Sequence, residues 1–172
     1  MEKHTFISYK REDANFTIQL ATDLKNTGFR VWVDKLDGAE IGENWEKVIG
    51  KALKSASALI AIITPEYFNS QYCIDEILYA RREKIEILPI ILRSPDWENI
   101  PEEFYWLKAR QLGNLEDYEQ NPQRYSKLLE TIQDRLRKID PAFEGPMPEA
   151  EAQYLNTLIG ELSKRQGVEE YI

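Results

Sequence analysis

The side chains with chemistry to offer fall in four stretches of the 172-residue chain: Ser8 to Asp13, Asp34 to Trp45, Thr64 to Glu76, and Arg93 to Trp97. In the first, Lys10 and Arg11 are adjacent cations able to meet phosphate groups through charge-assisted hydrogen bonds. Standing alone, such a pair also suits a solvated loop. In the second, Lys35 to Asn44 is a long charged run carrying Asp37, Gly38, Glu40 and Gly42, and Gly42 gives the backbone freedom to change course. In the third, Glu76 follows Asp75 near the head of a predicted helix, and its spacing alone fits a first-turn acid favoured by the helix dipole. The single Cys73 has no basic neighbour to make it a nucleophile. The single His4 has no partner ligand, so a disulfide framework and an all-protein zinc site are both excluded.

Lys plus Arg number 22 and Asp plus Glu 30, a formal net charge of −8. A general nucleic-acid binder would present a basic face, so that class is set aside. An anionic small molecule is compatible, because a few local cations can outweigh the global sum. With 42% hydrophobic and 30% charged residues the chain can bury a core. Its longest apolar runs, such as Ala58 to Ile63, are too short to span a bilayer. Met1 to Thr5 lacks the shape of a signal peptide. The expectation is a cytoplasmic globular domain that engages neither nucleic acid nor membrane and binds no metal.

Strands and helices must alternate to position these stretches. Thr5 to Tyr9, Arg30 to Asp34, Ala58 to Ile63 and Glu86 to Leu92 read as strands, the third buried on both faces. Pro89 requires a tolerant place in the fourth. Phe16, Leu20, Ala21 and Leu24 recur at helical spacing, with Gly28 where a helix stops. Trp45, Val48, Ile49, Ala52 and Leu53 form the apolar face of a second helix. Ile74, Ile77, Leu78 and Arg81 lie on a third, after a loop at Asn69-Ser70-Gln71. Residues 93 to 107 read as loop, Lys108 to Leu112 as a weak edge strand, and Pro122 to about Lys138 as a helix with Pro in its first turn. The alternation predicts an α/β fold: a flavodoxin-like three-layer sandwich with a five-stranded parallel sheet and helices on both faces. Ligands in such sheets sit beyond the carboxyl ends of the strands, where the four stretches fall.

The domain is expected to occupy residues 1–139. Residues 140–148 carry three prolines and a glycine and read as a linker. Residues 149–172 follow as a helical segment with Tyr154, Leu155, Leu158, Ile159 and Leu162 as its stripe. Such a helix after a linker is expected to pack on another domain or another copy, and a sensor or effector domain beyond this chain is the expected partner.

Two occupants of this fold class are excluded at the strand ends. A phosphoacceptor receiver needs an acidic pair after the first strand and Asp after the third, where this chain has Ser8-Tyr9-Lys10 and Thr64-Pro65. A flavin or nucleotide phosphate loop needs glycines opening the first helix, and Lys10-Arg11-Glu12-Asp13 has none. The ordered segments Phe6-Ile7-Ser8-Tyr9-Lys10-Arg11, Gly28 to Asp34, Glu40-Ile41-Gly42-Glu43-Asn44-Trp45 and Thr64 to Glu76 instead resemble the TIR (Toll/interleukin-1 receptor homology) domain, in its bacterial-style, NAD-cleaving branch. The resemblance covers about residues 4 to 138.

That resemblance implies an NAD⁺ glycohydrolase that cuts the nicotinamide–ribose bond, giving ADP-ribose or a cyclic isomer of it. NAD⁺ is then the substrate, and no cofactor is needed. By the same resemblance Glu76 is the catalytic glutamate, whose anion stabilises a ribose that becomes oxocarbenium-like as neutral nicotinamide leaves. Lys10, Arg11, Glu40, Tyr72, Trp97 and Tyr9 are implied at the NAD⁺ site. Tyr72 stands where the family usually has Trp, which retains an aromatic and adds a hydroxyl. Trp97 also suits a loop anchor, Trp45 a core position, and Tyr9 and Asp34 a mainly structural role. Asp37, Gly38 and Gly42 belong to the stretch that resembles the family's BB loop, through which copies assemble. The resemblance further implies activation by self-assembly with other TIR domains, in immune or anti-phage defence signalling. The alternative is a non-enzymatic scaffold that binds other TIR domains through the same loop, which would not need Glu76, Lys10 and Arg11 together.

Overall fold

The structure is a computed structural model that describes residues 2–33 and 45–139, together with Thr157. The strands are β1 (His4–Ser8), β2 (Val31–Trp32), β3 (Ala56–Ile63), β4 (Glu86–Ile91) and β5 (Gly113–Asn114). They form one sheet in the order β2-β1-β3-β4-β5, with every pair parallel. Helices α1 (Ala14–Asn26), α2 (Trp45–Lys54), α3 (Gln71–Arg82), α4 (Trp106–Arg110) and α5 (Pro122–Ile139) make the crossovers or follow the sheet. This is the flavodoxin-like α/β fold expected from the alternation.

Period-two alternation along the buried strands divides the core into two layers. Ile7, Val31, Ile60, Ile62 and Ile90 face one way, against Phe16, Leu20 and Leu24 of α1 and Leu128, Ile132 and Leu136 of α5. Phe6, Trp32, Leu59, Ala61 and Ile63 face the other, against Ala52 and Leu53 of α2, Cys73, Ile77 and Ala80 of α3, and Leu107 of α4. Val48 and Ile49 of α2 pack on that second layer as predicted. Residues 58–63 of β3 are all fully buried, which explains an apolar run without polar alternation. Gly28 adopts φ of 102°, a left-handed conformation that costs glycine nothing, and α1 ends just before it.

Two readings of the sequence are corrected. The edge strand is Gly113–Asn114, not Lys108 to Leu112, because residues 106–110 turn as α4 to bury Leu107. The strand begins where Gly113 lets α5 close over it. A Cβ there would lie 2.9 Å from Leu128 Cδ1. The stretch 93–107 is also not all loop, since a 3₁₀ turn at Glu102–Phe104 precedes α4 and buries Phe104. Pro89 is tolerated because β5 pairs only with Ile90 and Ile91, while the Pro89 carbonyl accepts from Leu112 N at 2.8 Å. No helix among the described residues is long and apolar enough to cross a membrane. The predicted linker and the helical segment at 149–172 lie outside the described residues, Thr157 apart.

Candidate active site

β1 delivers its last residue, Ser8, to the carboxyl edge of the sheet, where it pairs with Ala61 of β3. A polar residue closing an apolar strand must satisfy its hydroxyl there, since Ser8 is wholly buried. Its Oγ donates to Glu76 Oε1 at 2.8 Å and lies 2.7 Å from the Tyr67 hydroxyl. Tyr67 opens a 3₁₀ turn, Tyr67–Asn69, directly after β3, and is also wholly buried. Burial drives its phenol well above the ordinary tyrosine range, and the nearby Cys73 and Glu76 push it further in that direction. The Tyr67 hydroxyl also lies 3.5 Å from the Cys73 carbonyl.

Glu76 reaches this point from α3. Ser70 caps that helix by accepting from Cys73 N at 3.3 Å, so α3 starts at Gln71 and has no acid in its first turn. Glu76 therefore sits in the second turn, where the dipole has faded, and the first-turn-acid reading of this residue is corrected. Asp75, its neighbour, is exposed and accepts from Gln71 Nε2 at 2.7 Å. Glu76 turns inward and is half-buried.

The residues after β1 form a second group. Lys10 is half-buried, with its Nζ 3.8 Å from Glu12, while Arg11 is exposed and opens the 3₁₀ turn Arg11–Asp13. Asp13 is buried and bonds Arg93 at 2.9 Å, and Arg93 also lies 3.7 Å from Glu66. Desolvation raises the Asp13 carboxyl despite the opposing pull of Arg93. This triad ties together the segments that follow β1, β3 and β4. Beside it lies a cleft of about 670 Å³, lined by Asp13, Phe16, Arg93, Glu116, Asp117 and Glu119 among others. Glu76 does not line it, and its acidic walls disfavour phosphates.

Of the other residues singled out from the sequence, Tyr72 lies in the first turn of α3 and is 62% exposed. Trp97 is half-buried against the α2–α3–α4 layer, consistent with a loop anchor, and Tyr9 is half-buried against the α1–α5 layer. Asp34, Asp37, Gly38, Glu40 and Gly42 lie outside the described residues, as does the side chain of Trp45. The structure thus brings Glu76 against the end of β1, two residues before Lys10 and three before Arg11. Ser8, Tyr67 and Arg93 carry the contacts that single-residue reasoning did not assign. A polar Ser8 ending a buried strand was the available signal.

With this geometry in hand, the comparison with known families is decisive: the model of the TIR domain matches residues 5–129. The chain belongs to the TIR domain family. It is 32% identical over 94 residues to a probable 2′ cyclic ADP-D-ribose synthase, TcpO, of Methanobrevibacter olleyae, a match covering 52% of this chain and 27% of that protein. It is 35% identical over 68 residues to the 2′ cyclic ADP-D-ribose synthase BtTIR of Bacteroides thetaiotaomicron, covering 39% of this chain and 23% of that one. The matches to these two relatives thus span about a quarter of their length. In structure, this TIR domain is similar to the TIR domain of the Toll-related receptor TRR-2 from Hydra magnipapillata. The TM-score is 0.57 and the identity 21%, over 75% of this chain and 97% of that one. That likeness shows the fold.

Proposed function

We propose that this TIR domain cleaves NAD⁺ between nicotinamide and ribose, with Glu76 as the catalytic carboxylate. The observation that carries the proposal is Glu76 itself: an inward-turned acid in the second turn of α3, bonded at 2.8 Å to a buried hydroxyl at the end of β1. A merely solvated acid on this helix faces water, as the neighbouring Asp75 does, whereas Glu76 does not. When the C1′–N bond breaks, both electrons go to the ring nitrogen, and nicotinamide leaves neutral. The ribose keeps the positive charge, spread over C1′ and the ring oxygen. A fixed anion beside it stabilises that charge as it forms, as in glycoside hydrolysis. Water then attacks C1′ and gives up a proton, yielding ADP-ribose. A hydroxyl of the same molecule can attack instead and lose its proton, yielding a cyclic isomer.

The names of both relatives favour that second outcome, with a 2′ oxygen as the internal nucleophile. Incubating concentrated protein with NAD⁺ and resolving the products by HPLC and mass spectrometry tests the reading. Free nicotinamide should appear mole for mole with NAD⁺ loss, and the partner product separates hydrolysis from cyclisation by one water of mass. No nicotinamide release at high protein concentration would leave this chain as a scaffold for other TIR domains.

The reading includes activation by assembly, as part of immune or anti-phage defence signalling. Tyr72, which stands where the family usually has Trp and is implied at the NAD⁺ site, is 62% exposed in the single chain. An aromatic left in solvent neither stacks on a ligand nor excludes water from a reacting centre, and a neighbouring copy could cover it. Specific activity should therefore rise at least about tenfold over a thousandfold range of protein concentration, since a 1.4 kcal/mol change in site completion already corresponds to a factor of ten. A flat profile from a species shown to be monomeric throughout would mean that one chain holds the whole site.

A further inference from the structure

We propose that Tyr67 and Ser8 form a proton-ordered relay, Tyr67 O–H to Ser8 Oγ–H to Glu76 Oε1, that holds the Glu76 carboxylate aimed. Both are positioning residues, and their catalytic consequence rests on the NAD⁺-cleaving reading above. The direction of the relay follows from counting protons. A serine hydroxyl has one hydrogen to donate and lone pairs to accept with. An ionised carboxylate only accepts, so the Ser8 proton is committed to Glu76 Oε1 at 2.8 Å. The Tyr67 oxygen, 2.7 Å from the same Ser8 Oγ, must then be the donor of that second bond. Its other acceptor, the Cys73 carbonyl, is at 3.5 Å and competes weakly. The high affinity of the buried phenol for its proton keeps Tyr67 a donor across the working pH range.

Burial makes the relay consequential. Ser8 and Tyr67 are both wholly buried, so neither hydroxyl has bulk water as an alternative partner. The three groups come from the end of β1, the turn after β3 and the second turn of α3. A glutamate side chain has three torsions to fix. Anchoring one carboxylate oxygen to Ser8 at the end of β1, which Tyr67 holds in turn, restricts them before substrate arrives, so less is reorganised at the moment of reaction. A donor to the carboxylate also favours the charged form over the protonated one. The titratable groups that bear on Tyr67 in this cluster are Glu76 and the Cys73 thiol, both on α3.

The test measures the Glu76 carboxyl directly in the full chain, by carbon-13 NMR titration with the resonance identified through its loss in Glu76→Gln. Ser8→Ala should raise the Glu76 midpoint by roughly one pH unit, the equivalent of a tenfold change in the ionisation equilibrium. Tyr67→Phe should raise it by less, because Ser8 still donates. It keeps the ring in the core, so it decides the matter if Ser8→Ala does not fold. Turnover of NAD⁺ should fall about tenfold in kcat for Ser8→Ala with KM nearly unchanged, and Ser8→Thr should recover most of it. In a Glu76→Gln background, Ser8→Ala should cost the residual kcat nothing further, the mark of residues acting through one another. An unchanged Glu76 midpoint in both folded variants, or an additive loss in the Gln background, overturns the relay. If the parent protein does not turn over NAD⁺ at all, the functional reading fails while the titration still decides the relay.

Discussion

Glu76→Gln should lower NAD⁺ turnover by at least about a hundredfold, the loss expected when one preorganised electrostatic stabiliser is removed. The substitution is nearly isosteric, and a Gln oxygen can still accept from Ser8 at the position of Oε1. What disappears is the negative charge. Substrate NAD⁺ already carries its positive charge on the pyridinium ring, but in the transition state that charge moves onto the ribose. An anion held beside the ribose therefore binds the transition state better than the ground state, and the loss belongs in kcat more than in KM. Folding should survive, because the apolar contacts of α3 come from Cys73, Ile77 and Ala80, which point into the core beside it. Steady-state nicotinamide release, paired with a thermal melt of each protein, measures both halves. Wild-type kcat in a folded Gln variant would move the chemistry to a different residue.

The parts of the fold that the sequence revealed are those where one physical effect dominates over many residues. β3 is legible because all of residues 58–63 are buried, which leaves no position for a polar residue. α1 is legible because Phe16, Leu20 and Leu24 must face one layer and Gly28 must take a positive φ. α4 and β5 were misread because five residues and two residues are too few to display any period, and their identity follows from burying Leu107 and from the approach of Leu128 to Gly113. The site follows the same division. Ser70, three residues before Cys73, was a readable cap that would have placed Glu76 in the second turn. The bonds that define the site join Ser8 to residues 59 and 68 positions away, and Asp13 to one 80 positions away. No local pattern encodes such pairs. They exist because β1, β3 and β4 lie side by side and their ends open on one edge of the sheet. Glu76 is singled out in the sequence only through the resemblance to a family, and in the structure it differs from Asp75 next to it by its partial burial and its bond to Ser8.

Reversing Lys10 and Arg11 together to Glu should raise the KM for NAD⁺ by about a hundredfold and change kcat far less. The pyrophosphate of NAD⁺ needs cations, and in a protein with a net charge of −8 the described residues that follow β1 directly supply two, Lys10 and Arg11. Arg93 is nearby in the fold but committed. It bonds buried Asp13 at 2.9 Å and lies within ion-pair distance of Glu66, so recruiting it would strand a buried carboxylate. Lys10 is different, since its 3.8 Å contact with largely exposed Glu12 is long and of little energetic weight, and a phosphate can replace it cheaply. Arg11 is exposed at the head of the following turn, where its guanidinium can approach a ligand from solvent. Hydrogen bonds to charged groups contribute about 1.5–3 kcal/mol each, so losing two corresponds to about 3 kcal/mol or more, which sets the expected factor. Because these contacts form close to solvent, raising ionic strength from about 0.05 to 0.5 M should also raise KM in the parent protein, and that salt dependence should vanish or invert in the double variant. Initial-rate kinetics at a series of salt concentrations, run on both proteins, would show either pattern. An unchanged KM in the reversed protein would mark the pair as solvated loop charge and place the pyrophosphate against other groups.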